Sequence, residues 1–322
     1  MSFAEAIRAI YQPVIPAYDA NFKALDGSEF SISSAEWTEP LGQSLCIVNV
    51  DTRPMNDTDQ PWATGDTTFD WREASGWSGA GYLNQYLYSL IHGYRYVFLH
   101  TAVPAGYAGP WGRPGAYRSM LSECRVIVYA DSDVIYSNLH LPLEWLLNHW
   151  NVPIDKSSVS MSYEPKEVSG WNLEDKYGNH SQNPGFSIIH NAPGEDIVEK
   201  MMTKWSNCLS EVDYPGCAGL KDKWPAEMGG FNDYVRYDFP ELVRALPCSE
   251  AFGWPEWDLE CKGTFTRHYT LRKDLVKPGI ESAVSLPLIT ALQQSMVEHE
   301  AQLVLDKTDE MWVGLAPDVE GQ

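Results

Sequence analysis

Two carboxylates, two residues apart, close an apolar run in the segment Val126-Ile-Val-Tyr-Ala-Asp-Ser-Asp133. Ionised carboxylates beside a hydrophobic core repel each other, and each loses hydration that only a nearby cation can offset. Side chains alternate along a strand, so Asp131 and Asp133 project to the same side. Paired oxygen ligands at such a point suit a hard divalent cation, Mn²⁺ or Mg²⁺, which keeps open positions for phosphate oxygens. A second Asp-x-Asp, Asp57-Thr-Asp59, lies in a polar stretch with no strand before it and reads as solvated surface. The two copies separate motif from context.

Asp131 and Asp133 need a scaffold. Ser44–Val50 is a continuous apolar run, as expected of a strand buried on both faces. A helix follows over Ser78–His92, with Ser78 as its cap, Leu83, Tyr86, Leu87 and Leu90 on one face, and Gly93 as its stop. Tyr94–His100 reads as a strand, Ala116–Cys124 as a short helix, Arg125–Ala130 as the strand ending at the aspartates, and Leu141–Asn148 as a helix. This alternation is that of an α/β doubly wound sheet, which binds ligands at the carboxyl ends of its strands. Beyond residue 150 the order loosens: strands over 157–163, 185–190 and 242–246, helices over 193–205, 226–237 and 286–305. Residues 1–43 read as an N-terminal extension, 44–275 as the main domain, and 276–322 as a C-terminal helix and a fraying tail.

A net charge of −21 sets aside nucleic acid and anionic membranes as principal partners. A phosphorylated ligand then needs a metal ion or a few local Arg and Lys residues to reverse the field. The 13 Trp and 17 Tyr exclude disorder and could stack on ring-shaped ligands as readily as fill the core. No pair of the six cysteines has Cys-x-x-Cys spacing. Cys46 and Cys124 read as core thiols, and Cys208 and Cys217 could bridge in an oxidising compartment. No segment reads as a membrane span. The expectation is a cytoplasmic chain, with the Golgi lumen as the alternative for a trimmed sequence. The glycosylation triplets at Asn56 and Asn179 are no more than chance supplies.

An apolar strand followed by Asp-x-Asp occurs in two chemistries. A phosphohydrolase of the haloacid-dehalogenase type needs a later acidic pair, and the only Gly-Asp-x-x-x-Asp here, Gly65–Asp70, lies upstream. The other is nucleotide-sugar transfer. Tyr129-Ala-Asp-Ser-Asp-Val-Ile135, Asn183–Asn191, Trp224–Asp233 and Arg267–Lys273 resemble, in order, the metal-binding strand, the Asn-x-Gly strand, the acceptor-side helix and the late His…Lys segment of a glycosyltransferase family. That family comprises the fungal galactosyl/mannosyltransferases and plant xyloglucan xylosyltransferases of GT-A type. Pro184 departs from the usual small polar residue, and Arg113–Tyr117 is not the usual Lys-rich helix.

The resemblance implies a Rossmann-like GT-A fold with a mixed, mostly parallel sheet, and transfer of a hexose from a UDP-sugar rather than a GDP-sugar to an acceptor hydroxyl, with retention. Asp133 would ligate the metal directly, Asp131 would bind it through water or hold the ribose, and His268 would be the third ligand. Asn49, Val50, Asp51 and Ser132 would meet the nucleoside, and Arg113 and Lys273 the diphosphate. Asn183 and Gly185 would approach the sugar. Glu227, with Asp233 as the spare, would act on or orient the acceptor, and Trp224, Trp254 and Trp257 could form its platform. Two rival classes are a carbohydrate-binding protein on a decayed transferase fold and a glycoside hydrolase. The second needs a flanking carboxylate pair that nothing here specifies.

Overall fold

The structure is a computed structural model describing residues 1–11, 14–63, 69–73, 76–168, 170–254 and 261–304. Trp257, Gly65 and the last dozen residues lie outside this set. Two compact units are present, Met1–Ala283 and Val284–Gln322.

In the first unit the strands are β1 (Asn21–Lys23), β2 (Glu29–Ser31), β3 (Leu45–Asp51), β4 (Arg95–His100), β5 (Val126–Ala130), β6 (Val134–Tyr136), β7 (Ser158–Tyr163), β8 (Glu167–Val168), β9 (Trp171–Asn172), β10 (Gln182–His190), β11 (Val243–Leu246), β12 (Ala251–Phe252) and β13 (Thr266–His268). The helices are α1 (Phe3–Ile10), α2 (Trp77–His92), α3 (Arg113–Met120), α4 (Leu143–His149), α5 (Ile197–Ser206), α6 (Ala226–Gly230) and α7 (Arg236–Asp238). A further helix, α8 (Val276–Glu298), begins in this unit and runs on into the second.

Six strands form the central sheet in the order β11-β7-β10-β5-β3-β4. All run parallel except β10, which is antiparallel to both neighbours, β5 and β7. The architecture is therefore mixed α/β, with helices flanking a mostly parallel sheet. The reversal of β10 has a consequence for the site. Its amino end, Gln182–Gly185, reaches the same sheet edge as the carboxyl ends of β5 and β7. A smaller sheet pairs β6 with β13 antiparallel, setting His268 opposite Val134, the residue after Asp133.

Apolar runs account for the core: Val48, Ile127, Met161 and Ile189 from the sheet meet Met201, Met202 and Trp205 of α5. The N-terminal residues belong to the same unit, where the buried Trp37 indole donates to Val152 O at 2.7 Å. The helix expected over 226–237 is broken into α6, a π-helical turn at Phe231–Val235, and α7.

Three expectations are corrected. Cys46 and Cys124 are not thiols but a disulfide, joining β3 to the segment before β5; Cys208–Cys217 and Cys248–Cys261 are the others. The α2 helix is rotated from its apolar stripe: Leu83 and Tyr86 are exposed, while Asn84, Gln85, Tyr88 and Ser89 point inward. The buried amides are satisfied by backbone groups of the Asp131–Tyr136 segment, as burial of polar groups requires. Finally, the helical stretch Lys273–Glu298 is long and apolar enough to cross a membrane by length and composition, contrary to the reading that no segment comes close. Val276, Ile280 and Ala283 on it are buried, whereas Leu292, Met296 and Val297 are exposed.

Candidate active site

Asp131 leaves the end of β5, Asp133 follows two residues on, and β13 delivers His268. One oxygen of each carboxylate and a ring nitrogen of His268 lie within 4.8 Å of one another. His268 Nε2 is 3.0 Å from Asp133 Oδ2 and 4.0 Å from Asp131 Oδ2. Asp133 and His268 are buried. Two carboxylates and one imidazole converging on one point fit Mn²⁺ or Mg²⁺ by donor type.

The outer oxygen of Asp131 is already held. Arg113 Nη2 donates to Asp131 Oδ1 at 2.5 Å, and the Tyr129 hydroxyl donates to the same oxygen. Such bonds orient a ligand carboxylate and fix its reach. The other arm of Arg113 pairs with Glu227 Oε1, and its Nε is 3.0 Å from Tyr129 Oη. Lys273 pairs with Asp133; burial, partly offset by Asp131, lowers its ammonium to about 8. Three carboxylates (Asp131, Asp133, Glu227) face two cations (Arg113, Lys273), which leaves one excess negative charge with His268 neutral. A divalent ion would turn that into one excess positive charge, which is what an anionic diphosphate needs in a chain of net charge −21.

Glu227 is 1% exposed, and burial raises its pKa, with Arg113 opposing. Placed behind Arg113, it is built to hold the guanidinium. Asp233 accepts from Lys176 N at 2.8 Å, and no contact ties it to Asp131 or Asp133 among the described residues. Trp224 is 56% exposed and beside Trp171, whereas Trp254 is buried in the core and offers no platform.

Gly185 sits against the cluster: a Cβ there would lie 2.7 Å from Asp131 Oδ2 and 3.1 Å from His268 Cε1. Asn183 Oδ1 accepts from Gly185 N at 2.8 Å, and its amide donates to Glu164. Glu164 is fully buried, and burial pushes it up to about 7 against the Asn183 hydrogen bond. Asn183 therefore shapes the turn that brings Gly185 to the aspartates.

Sequence reasoning missed the supports on α2. Gly81 lets the helix touch Ser132, whose carbonyl oxygen would stand 1.8 Å from a Cβ at that position. Gln85 Nε2 donates to Asp131 O and Val134 O, each at 2.8 Å. The small-residue run Gly79-Ala-Gly81 was the available signal for close approach. Asn49 is fully buried and clamps β3 to β5 through Ala130 O at 2.8 Å. Val50 is half-buried.

Asp51 accepts from Arg53, Gln60 and Tyr82. Burial would raise its pKa, yet the hydrogen bonds from Arg53 and Gln60 prevail and hold it at about 2 against an ordinary 3.8. A depressed carboxylate adds stability above its unfolded pKa and loses it as the pH falls through the folded one. The shift corresponds to about 2 kcal/mol. Asp51→Asn is expected to be less stable than wild type at pH 6, with the gap closing between pH 4 and pH 2. A gap that stays constant in urea melts across that range would show that the charge is not its source.

Asp59, read as solvated surface, is instead half-buried. Its carboxylate accepts from Ser78 Oγ at 2.6 Å and lies 3.5 Å from Arg53 Nη1, and its carbonyl accepts from Gly79 N at 2.9 Å. It caps α2 from outside the helix, where Ser78 had been expected to do so.

No family model matches the chain, and no curated protein matches it. Among solved structures, a glycosyltransferase involved in glycosylation of the major capsid of PBCV-1 is 12% identical, covering 74% of this chain and 98% of its own at a TM-score of 0.48. Mouse xyloside xylosyltransferase 1 is 10% identical, covering 72% and 99% at 0.41. A galactosyltransferase solved with donor and acceptor sugar analogues is 14% identical, covering 84% and 100% at 0.39. All three are glycosyltransferases, but at these scores the likeness assigns no chemistry to this chain.

Proposed function

We propose that the chain is a metal-dependent glycosyltransferase of GT-A architecture, moving a hexose from a nucleotide sugar, UDP-linked in preference to GDP-linked, to an acceptor hydroxyl with retention. One observation carries this reading: Asp131, Asp133 and His268 converge at the carboxyl edge of the sheet, flanked by Arg113 and Lys273. A bound Mn²⁺ or Mg²⁺ supplies Lewis-acid neutralisation of the charge gathering on the leaving diphosphate. Asp133 and His268 hold that ion, Asp131 completes the set, and Arg113 fixes the orientation of Asp131. Lys273, already at Asp133, supplies a further cation for phosphate oxygens. The sugar carbon exchanges its bond to the phosphate oxygen for one to the acceptor oxygen on the same face, and the acceptor proton passes to the departing diphosphate oxygen. Glu227 acts through Arg113. The acceptor is a small molecule or a glycan.

The test is a thermal-shift panel of UDP- and GDP-hexoses with and without Mn²⁺. Stabilisation by at least one nucleotide sugar, present only with metal, is expected. No shift with any donor would remove the proposal.

All six cysteines form disulfides. We therefore infer an oxidising compartment, the lumenal alternative rather than the cytoplasm. Alkylation of the denatured, unreduced native protein should label no cysteine; labelled Cys46 or Cys124 would contradict this.

A further inference from the structure

Two Asn-x-Ser/Thr triplets stand in the chain, Asn56-Asp-Thr58 and Asn179-His-Ser181. Such a triplet accepts N-linked sugar only where the chain meets the transferring enzyme, and the fold must have room for the product, as in a surface loop of a secreted protein. As sequence the two triplets are equivalent. Their surroundings are not.

Asn56 stands at the tip of a loop with a fixed base. Beyond the carboxyl end of β3, Arg53 and Gln60 both donate to Asp51 Oδ2 at 2.7 Å, and Ser78 Oγ donates to Asp59 Oδ2 at 2.6 Å. Between these anchors the chain makes two successive turns: Asp57 N donates to Pro54 O at 3.2 Å, and Gln60 N to Asp57 O at 2.9 Å. Asn56 and Thr58 are both exposed. The Asn56 carboxamide has no hydrogen-bond partner among the described residues. The Thr58 hydroxyl donates to its neighbour, Asp57 Oδ1, at 3.4 Å. Replacing one amide hydrogen of Asn56 therefore breaks no native contact, and a bulky, hydrophilic group there leaves the fold intact.

Asn179 is held instead. Its Nδ2 donates to Tyr237 Oη at 2.9 Å, its backbone N–H donates to Asp175 Oδ1 at 2.9 Å, and Ser181, which completes the triplet, is 5% exposed. A sugar on that nitrogen would press on the Tyr237 hydroxyl. The compartment is the other requirement. Three disulfides and no free cysteine fit a lumen of the kind in which N-linked transfer takes place.

We propose that Asn56 is a modification site carrying an N-linked oligosaccharide. The donor is a lipid-linked oligosaccharyl diphosphate, and the cell's oligosaccharide-transferring enzyme makes the transfer. The Asn56 amide nitrogen forms a bond to the anomeric carbon of the donor, and the bond from that carbon to the phosphate oxygen breaks. The lipid diphosphate leaves with the electron pair, and one amide proton passes to a base of the enzyme. Transfer acts on the emerging chain, so the fold does not choose the asparagine; it tolerates the product. The site rests on the oxidising compartment inferred above and is independent of the transferase reading.

The experiment uses the native protein isolated from its own cells. It is treated with peptide-N-glycosidase in heavy-oxygen water, and its peptides are read by mass spectrometry. The enzyme converts a sugar-bearing asparagine to aspartate and leaves heavy oxygen in the new carboxyl group. Asn56 should be labelled in most molecules, and only when the enzyme is present. Thr58→Ala, made in the same cells, removes the hydroxyl of the triplet at an exposed position and should lose the label with the melting temperature unchanged. Unlabelled Asn56 would overturn the proposal. So would a label that survives in Thr58→Ala or forms without the enzyme, the mark of simple deamidation. Alkylation of the same sample without reduction separates the two inferences. Unreactive cysteines with unlabelled Asn56 reject the glycan alone, whereas reactive cysteines reject the compartment.

Discussion

Arg113→Met should destabilise the fold by about 3–5 kcal/mol, the usual cost of stripping a partner from a buried ion pair. The Arg113 side chain is 15% exposed and spans two carboxylates, whose side chains are 17% exposed at Asp131 and 2% at Glu227. Methionine keeps much of the stem but leaves both acids uncompensated beside Tyr117 and Tyr129. Glu227 is the worse placed, since burial already raises its pKa. Removing that charge as well, in Arg113→Met/Glu227→Gln, should restore at least about 1 kcal/mol, because only Asp131 then lacks its cation. Urea denaturation of the two variants reads both effects. A loss below about 1 kcal/mol in Arg113→Met would mean that the guanidinium is not what keeps these carboxylates together.

Asp133→Asn should lower transfer by at least roughly a hundredfold, since one charged ligand to the ion under the leaving diphosphate is worth a few kcal/mol of transition-state stabilisation. Asp59→Asn shares the Asp-x-Asp motif and serves as the comparison. Its amide can still accept from Ser78, and asparagine caps helices about as well as aspartate, so its cost should stay near 1 kcal/mol of stability with little change in turnover. Circular dichroism establishes that each variant is folded. Wild-type turnover in folded Asp133→Asn would show that the strand-end pair is not the metal site.

Much of the frame was legible because burial on both faces writes itself as nearly continuous apolar runs. Leu45–Val50, interrupted only at Asn49, and Val126–Ala130 are such runs, and both are central strands. His268 was reachable only through the family resemblance; nothing in its local sequence says that β13 pairs beside Asp133. The rotation of α2 was hidden for a physical reason. Its apolar stripe, including Leu83 and Tyr86, is the natural core face, but the Asp131–Tyr136 backbone needs partners, and Asn84 and Gln85 supply them. Asp59 was misread because its partner Ser78 is 19 residues away. Composition could not reveal that tertiary capping had removed it from solvent. The direction of β10 was equally silent, since an apolar strand reads the same either way.

Asp131, Asp133 and His268 should together hold a divalent cation that recruits a nucleoside diphosphate. Calorimetric titration of UDP into the purified chain, with 1 mM Mn²⁺ and then with excess EDTA, tests it most directly. Saturable binding with Mn²⁺ that vanishes in EDTA is the expected result. UDP affinity undiminished by EDTA would contradict the account.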